Sequence, residues 1–129
     1  MLTCGPGLAG AVSRPEPMTA TAVRQTLEKW IGDLYKDRSQ GCALLDRRRQ
    51  AAFLADTRRV FRATPKTCAA AIAIWSKTIR ENDSPLAPEL RAVGRAPVTL
   101  HGSKAALSYS EAHVEFVYSS GHWLIDDAR

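Results

Sequence analysis

Residues 98–127 read VTLHGSKAALSYSEAHVEFVYSSGHWLIDD, and this stretch decides the fold. Apolar and polar residues alternate in it with period two, the mark of antiparallel strands with one apolar and one wetter face. Three tight turns divide it into four strands. Gly102-Ser103 in the first pairs Leu100 with Ala105 and Val98 with Leu107, since glycine takes the positive φ of a II′ turn. Glu111-Ala112 as the second pairs Tyr109 with Val114 and Leu107 with Phe116; its turn chemistry is poor, which leaves room for a bulge. Ser120-Gly121 closes the third, pairing Tyr118 with Trp123 and Phe116 with Ile125. Directly opposed residues share a face. One face therefore collects Val98, Leu100, Leu107, Tyr109, Val114, Phe116, Tyr118, Trp123 and Ile125. The other collects Thr99, His101, Lys104, Ser108, Ser110, His113, Glu115, His122 and Asp126, while Asp127 falls on the apolar face at the strand's end.

Upstream the period changes. Val23, Leu27, Trp30, Ile31 and Leu34 follow one face of a helix that Thr19 or Thr21 can cap, and this helix is expected to lie across the apolar face of the sheet. Lys36 to Gly41 breaks the pattern. A second helical stretch from about Cys42 has Ala43, Leu44, Leu45, Ala52, Phe53 and Leu54 on its core side, with a break near Asp46 admitted. A loop around Ala63-Thr64-Pro65 ends it. Thr67 caps a third helix carrying Cys68, Ile72, Trp75 and Ile79, running to about Asn82. Ser84-Pro85-Leu86-Ala87-Pro88 reads as a linker into the sheet. Helices followed by an antiparallel sheet make an α+β arrangement in which the helices cover one face.

The 129 residues, 45% hydrophobic and 24% charged, suit one domain, and the formal net charge of +5 is moderate. No apolar run reaches the roughly 20 residues of a membrane span. Met1 to Met18, rich in Gly and Pro and without periodicity, reads as a disordered leader ahead of a domain over 19–129. Leu2-Thr3-Cys4-Gly5 has the outline of a lipoprotein cleavage site but lacks the basic and apolar regions that precede one. Met18 is an alternative start.

A Trp-bearing first helix, a short polar break, the Cys42-Ala43-Leu44-Leu45 segment, Cys68 before another helix, and hairpins ending Gly121-His122-Trp123-Leu124-Ile125-Asp126 together resemble the nuclear-transport-factor-2-like superfamily, over about residues 19–127. Within it the order and spacing look most like small actinobacterial exported proteins that carry a Cys pair. The resemblance implies a cone, with a curved sheet of about four strands around the helices and a central pocket between the first helix and the apolar face. Trp30, Leu34, Tyr35, Tyr109, Phe116, Tyr118 and Trp123 are the residues of this chain that would line it, plain core packing being the competing reading for each aromatic. It also implies a bridge between Cys42 and Cys68 in an oxidising compartment, which tips the location toward outside the cytoplasm. In a cytosol the two would be buried thiols.

Superfamily members of the ketosteroid-isomerase kind set a carboxylate base beside acidic donors. Tyr35, with Asp33, Asp37 and Asp46 nearby, and Tyr109 are the residues here that could serve, but none matches a catalytic motif; Tyr35, Tyr109 and Asp46 are the catalytic candidates. On the polar face Glu115 is expected opposite Asp126, with His113 two residues along. Such a pair is destabilising unless a cation or water intervenes, so catalysis, metal binding and a plain solvated face all remain open. A His-only zinc site is excluded, because His101 and His122 stand about 14 Å apart on strands one and four. Val117 and Leu124 on that face suit a homodimer interface. Arg47, Arg48, Arg49, Arg58, Arg59, Arg62 and Lys66 form a basic stretch without a recognition helix or stacking aromatics, which argues for a solvated face over a nucleic-acid or acidic-protein partner.

The expectation is thus a module binding a small apolar or aromatic ligand, needing no cofactor. An isomerase, dehydratase or cyclase in the same pocket is the alternative, and a basic interaction scaffold the weaker one.

Overall fold

Three of the helices start where a short polar side chain holds a free amide. In the computed structural model, which describes residues 14–129, Thr19 accepts from the Ala22 amide at 3.2 Å and opens α1, Ala20–Tyr35. A 3₁₀ segment, Ser39–Leu44, follows. Asp46 accepts from the Arg49 amide at 2.8 Å at the head of α2, Arg47–Phe61. Thr67 does the same for Ala70 at 3.1 Å before α3, Cys68–Glu81. Each cap satisfies an amide that has no partner within its helix. The break near Asp46 is thus a change of helix type followed by a new cap.

The linker reading of residues 84–88 is corrected by a fourth helix, α4, Leu86–Arg95. Pro88 misleads because proline usually breaks helices. Here it sits in the first turn, where its missing N–H would have had no intrahelical partner. Leu86, Leu90 and Val93, at i, i+4 and i+7, turn the helix onto the core.

The sheet is an antiparallel meander of β1, Val98–His101; β2, Lys104–Tyr109; β3, Ala112–Ser119; and β4, His122–Ala128, in the order β1-β2-β3-β4 and not closed into a barrel. The β1–β2 register is the expected one, and so is the turn end of β3–β4, with Tyr118 opposite Trp123 and Phe116 opposite Ile125. Gly102 takes a φ of +59°, and Ser120 and Gly121 take +52° and +82°. The middle hairpin differs. Its turn is Ser110-Glu111, with Ser110 at a φ of +51°, so Tyr109 faces Ala112, Leu107 faces Val114 and Ala105 faces Phe116. The slip from the expected register is two residues, one full period, so every side chain keeps its face.

A bulge between Glu115 and Phe116 makes a second correction. Phe116 pairs with Ile125 but Glu115 pairs with Asp127, leaving Asp126 as the extra residue of β4. Asp126 and Asp127 together oppose Glu115, so Asp127 leaves the apolar face that simple alternation assigns it. Leu100, also expected on the apolar face, is 39% exposed, because an edge strand has a neighbour on one side only.

The core lies between α1 and the inner sheet face. Val23, Leu27 and Ile31 of α1 join Leu107, Val114, Phe116, Trp123 and Ile125, all buried, with Phe53, Ala71, Ile72 and Val93 from the other helices. Cys42 and Cys68 stand at disulfide distance, Cα–Cα 6.0 Å, and tie the 3₁₀ segment to the start of α3. Gly41 lets that segment approach α1, since a Cβ there would meet the Asp33 Cβ at 3.0 Å and the Trp30 ring at 3.2 Å. Leu45 forms a parallel bridge to Ile125, and the Asp46 amide donates to the Ile125 carbonyl at 3.0 Å, so the head of α2 covers part of the edge of β4.

Of the expected leader, residues 1–13, including Cys4, lie outside the described residues. The last part is held. The Glu16 amide donates to the Gly121 carbonyl at 2.7 Å, and the Trp123 amide donates to the Glu16 carboxylate at 2.7 Å. No helix among the described residues is long and apolar enough to cross a membrane.

Candidate functional site

Arg49, Phe53, Asp56 and Val60 recur at i, i+4, i+7 and i+11 along α2, and this stripe meets Trp30 and Leu34 of α1 and Trp75 of α3. Together with Arg59 they line a cleft of about 260 Å³. Its floor is aromatic and fixed from below. Trp30 and Phe53 stack edge to face with ring centroids 5.2 Å apart, and Phe61 and Trp75 do so at 4.8 Å. The Trp75 indole N–H donates to the Thr57 hydroxyl at 2.9 Å, and that hydroxyl, fully buried, donates to the Phe53 carbonyl at 2.7 Å. The wall on the α1 side is braced from behind. The Asp33 carboxylate, wholly buried, accepts from Lys29 Nζ at 3.2 Å and Arg38 Nε at 2.8 Å.

The rim is charged. Asp56 lies 3.6 Å from Arg49 Nη1 and 3.3 Å from Arg59 Nη2. One carboxylate therefore faces two guanidinium groups.

The seven residues expected around one pocket are found in four places. Trp30 and Leu34 line the three-helix cleft. Phe116 and Trp123 are 1% exposed and belong to the core between α1 and the sheet. Tyr118 donates to the Glu16 carbonyl at 2.5 Å, and the Trp123 indole donates to the Pro17 carbonyl at 3.1 Å, so both are occupied by the segment entering α1. Tyr35 and Tyr109 meet α4. The Tyr109 hydroxyl donates to the Glu89 carboxylate at 3.0 Å. Burial, then the hydrogen bond to Glu89, pushes the Tyr109 hydroxyl well above the ordinary tyrosine range. Burial, followed by the nearby Glu89 charge, raises Tyr35 too. Both phenols therefore hold their protons, and neither is among the residues lining the three-helix cleft.

Asp46 stands apart from the tyrosines. Its carboxyl is raised by burial and by a hydrogen bond with Asp126, whereas Asp126 is lowered, first by that same hydrogen bond and further by Arg48, whose Nη2 lies 2.9 Å away. Each carboxyl therefore shifts the other, in opposite directions, as closely placed like charges do.

The outer sheet face holds a second cleft of about 250 Å³, lined by His101, Lys104, Ala106, Glu115 and Asp126 together with Ala105 and Phe116. The cation that opposed carboxylates require is Arg129. It contacts Glu115 at 3.3 Å and also pairs with Asp127. His113 Nε2 lies 3.2 Å from Glu115, and its other ring nitrogen is 3.0 Å from the Ser108 hydroxyl. No group of three or more His, Cys, Asp or Glu among the described residues is placed to hold a metal ion.

Arg49, Phe53, Asp56, Arg59, Val60 and Trp75 are the cleft residues that sequence reasoning assigned elsewhere or passed over. Their helical spacing was legible; the angle at which α2 crosses α1 and α3 was not. Much of the basic stretch is engaged locally, with Arg48 on Asp126, Arg49 and Arg59 on Asp56, and Arg58 on the Pro65 carbonyl at 3.3 Å. No family model, curated protein or solved structure matches this chain.

Proposed function

We propose that this protein is a small-molecule-binding module whose site is the cleft between α1, α2 and α3. The observation that carries the reading is the fixed aromatic floor. Trp30, Leu34 and Trp75 remain partly exposed in a concavity of about 260 Å³, with Trp30 stacked on Phe53 and Trp75 held by its hydrogen bond to Thr57. Apolar surface that is both exposed and preorganised loses little entropy on binding, which is what a ligand site requires. The volume is just below the roughly 300 Å³ at which drug-sized pockets begin, so the ligand is small. Placement in the nuclear-transport-factor-2-like superfamily rests on the helices-then-meander order and on the pattern of the closing hairpin. A location outside the cytoplasm rests on the Cys42–Cys68 pair.

The chain has three tryptophans, which makes the reading testable by indole N–H resonances. Titration with small aromatic fragments is expected to move the Trp30 and Trp75 signals and leave Trp123, buried in the core, unchanged. Failure of any fragment to move Trp30 or Trp75 at millimolar concentration overturns the reading.

A second reading, the isomerase, dehydratase or cyclase, has one observation in its favour, the 3.0 Å hydrogen bond from Tyr109 to Glu89. That reading requires a substrate to reach the Tyr109 hydroxyl. Ligand-induced shifts confined to Tyr35, Tyr109 and α4 would select it over the three-helix cleft.

A further inference from the structure

The rim of the three-helix cleft has a feature that a purely apolar ligand would leave unresolved. The Arg49 side chain is only 13% exposed, yet its nearest charged partner, Asp56, stands 3.6 Å from Nη1, beyond hydrogen-bond reach. A guanidinium presents five N–H donors, and Arg49 makes no side-chain hydrogen bond among the described residues. Buried charge is costly unless it is paired and hydrogen-bonded. Asp56 cannot meet the need alone, because its carboxylate, 40% exposed, also pairs with Arg59 at 3.3 Å. Arg49 and Arg59 against Asp56 leave one positive charge in excess at the mouth of an aromatic cleft.

Resting on the cleft being the binding site, we infer that its ligand is a small planar aromatic acid. Its ring stands against Trp30, Phe53 and Trp75, and its carboxylate is anchored by Arg49. A carboxylate accepts two parallel N–H bonds from one guanidinium, which supplies both the missing hydrogen bonds and the missing charge. An aromatic cage closed by an acid is the familiar receptor for organic cations. Here the flanking Arg49 and Arg59 oppose a cation, so aromatic lining together with Asp56 does not make such a cage. The anchor also accounts for the placement of Asp56, which occupies the arginines in the free protein and competes with the ligand for them.

The test uses three isosteric probes on the full, oxidised chain, 2-naphthoate, 2-naphthamide and 2-naphthylmethylammonium, titrated by calorimetry and followed at the Trp30 and Trp75 indoles. Naphthoate is expected to bind about tenfold more tightly than the amide, or better, as a charge-assisted pair implies. Arg49→Met should erase that preference while leaving amide binding in place. Asp56→Asn should tighten naphthoate several-fold and leave the amide unchanged, an effect of opposite sign that loss of fold in the Arg49 variant cannot mimic. Equal affinity for naphthoate and amide overturns the anion anchor but keeps the cleft as a binding site. Tightest binding of the ammonium probe overturns it in favour of Asp56. No response from any probe overturns both the anchor and the cleft.

Discussion

Removal of the Cys42–Cys68 link is expected to be the most costly single covalent change to this domain. The two residues are 26 apart in sequence, and the loop between them carries all of α2. Treated as a constraint on the unfolded chain, closing a loop of that length stabilises the fold by about 3.5 kcal/mol. For a domain of this size the loss corresponds to a drop in Tm on the order of 10–20 °C. The local structure predicts where the loss is felt first. The link holds the 3₁₀ segment, whose Gly41 backs onto Trp30, to the start of α3, which carries Trp75. Urea unfolding of the oxidised chain should be compared with the Cys42→Ser/Cys68→Ser double variant, with Cys4→Ser as the control. The variant should show a lower midpoint together with a larger m-value, because its unfolded state expands when the link is gone. An unfolding free energy within about 1 kcal/mol of that of the oxidised protein would refute the reasoning. So would recovery of two free thiols from the Cys4→Ser control folded under oxidising conditions.

Two further predictions concern local chemistry. Arg62 ends α2 in the left-handed region, φ +52°, where a Cβ is disfavoured and glycine is preferred, so Arg62→Gly should raise stability by about 1 kcal/mol in thermal or urea melts; a loss would mean that the Arg62 side chain contributes more than its backbone conformation costs. The Asp46–Asp126 pair sets a pH dependence. Asp126 is lowered in the fold, so its contribution is present above the unfolded value near 3.8 and lost as pH falls through its folded value. Asp46 is raised, so its contribution is present below 3.8 and lost as pH rises through its folded value. Stability should therefore decline on the alkaline side of the ordinary Asp range. Asp46→Asn keeps the cap and the hydrogen-bonding carbonyl, and should flatten that decline in melts recorded across the range; an unchanged slope would dissociate the pair from it.

What was legible in the sequence and what was not divides by the range of the interactions. The strand pattern and turn glycines of 98–127 are read within a few residues, which is why the side chains of the middle hairpin keep their faces although its register slips by one period. The cap at Thr67 and the choice of Thr19 or Thr21 for α1 are equally local, whereas at Asp46 only a break was legible and the cap is seen in the structure. Pro88 misled for the same reason, since a local rule about proline ignores its position in the first turn.

The candidate site behaved differently. Trp30, Leu34, Tyr35, Tyr109, Phe116, Tyr118 and Trp123 look alike in sequence as aromatic or apolar residues at core spacing. Packing alone separates them into core, cleft, N-terminal contact and the Glu89 cluster. The bulge that turns Asp127 outward, the pairing of Asp46 with Asp126, and the meeting of Arg49 with Asp56 over Trp30 and Trp75 depend on contacts between distant segments. The sequence by itself determined the period of the first three helices and of the four strands and the order in which those elements follow, though not α4, because period follows from hydrogen bonds and side-chain alternation within a turn or two. Tertiary structure alone decided which apolar residues are buried and which are left open as a site, because burial depends on the angle at which helices cross and on the length of the strands beneath them.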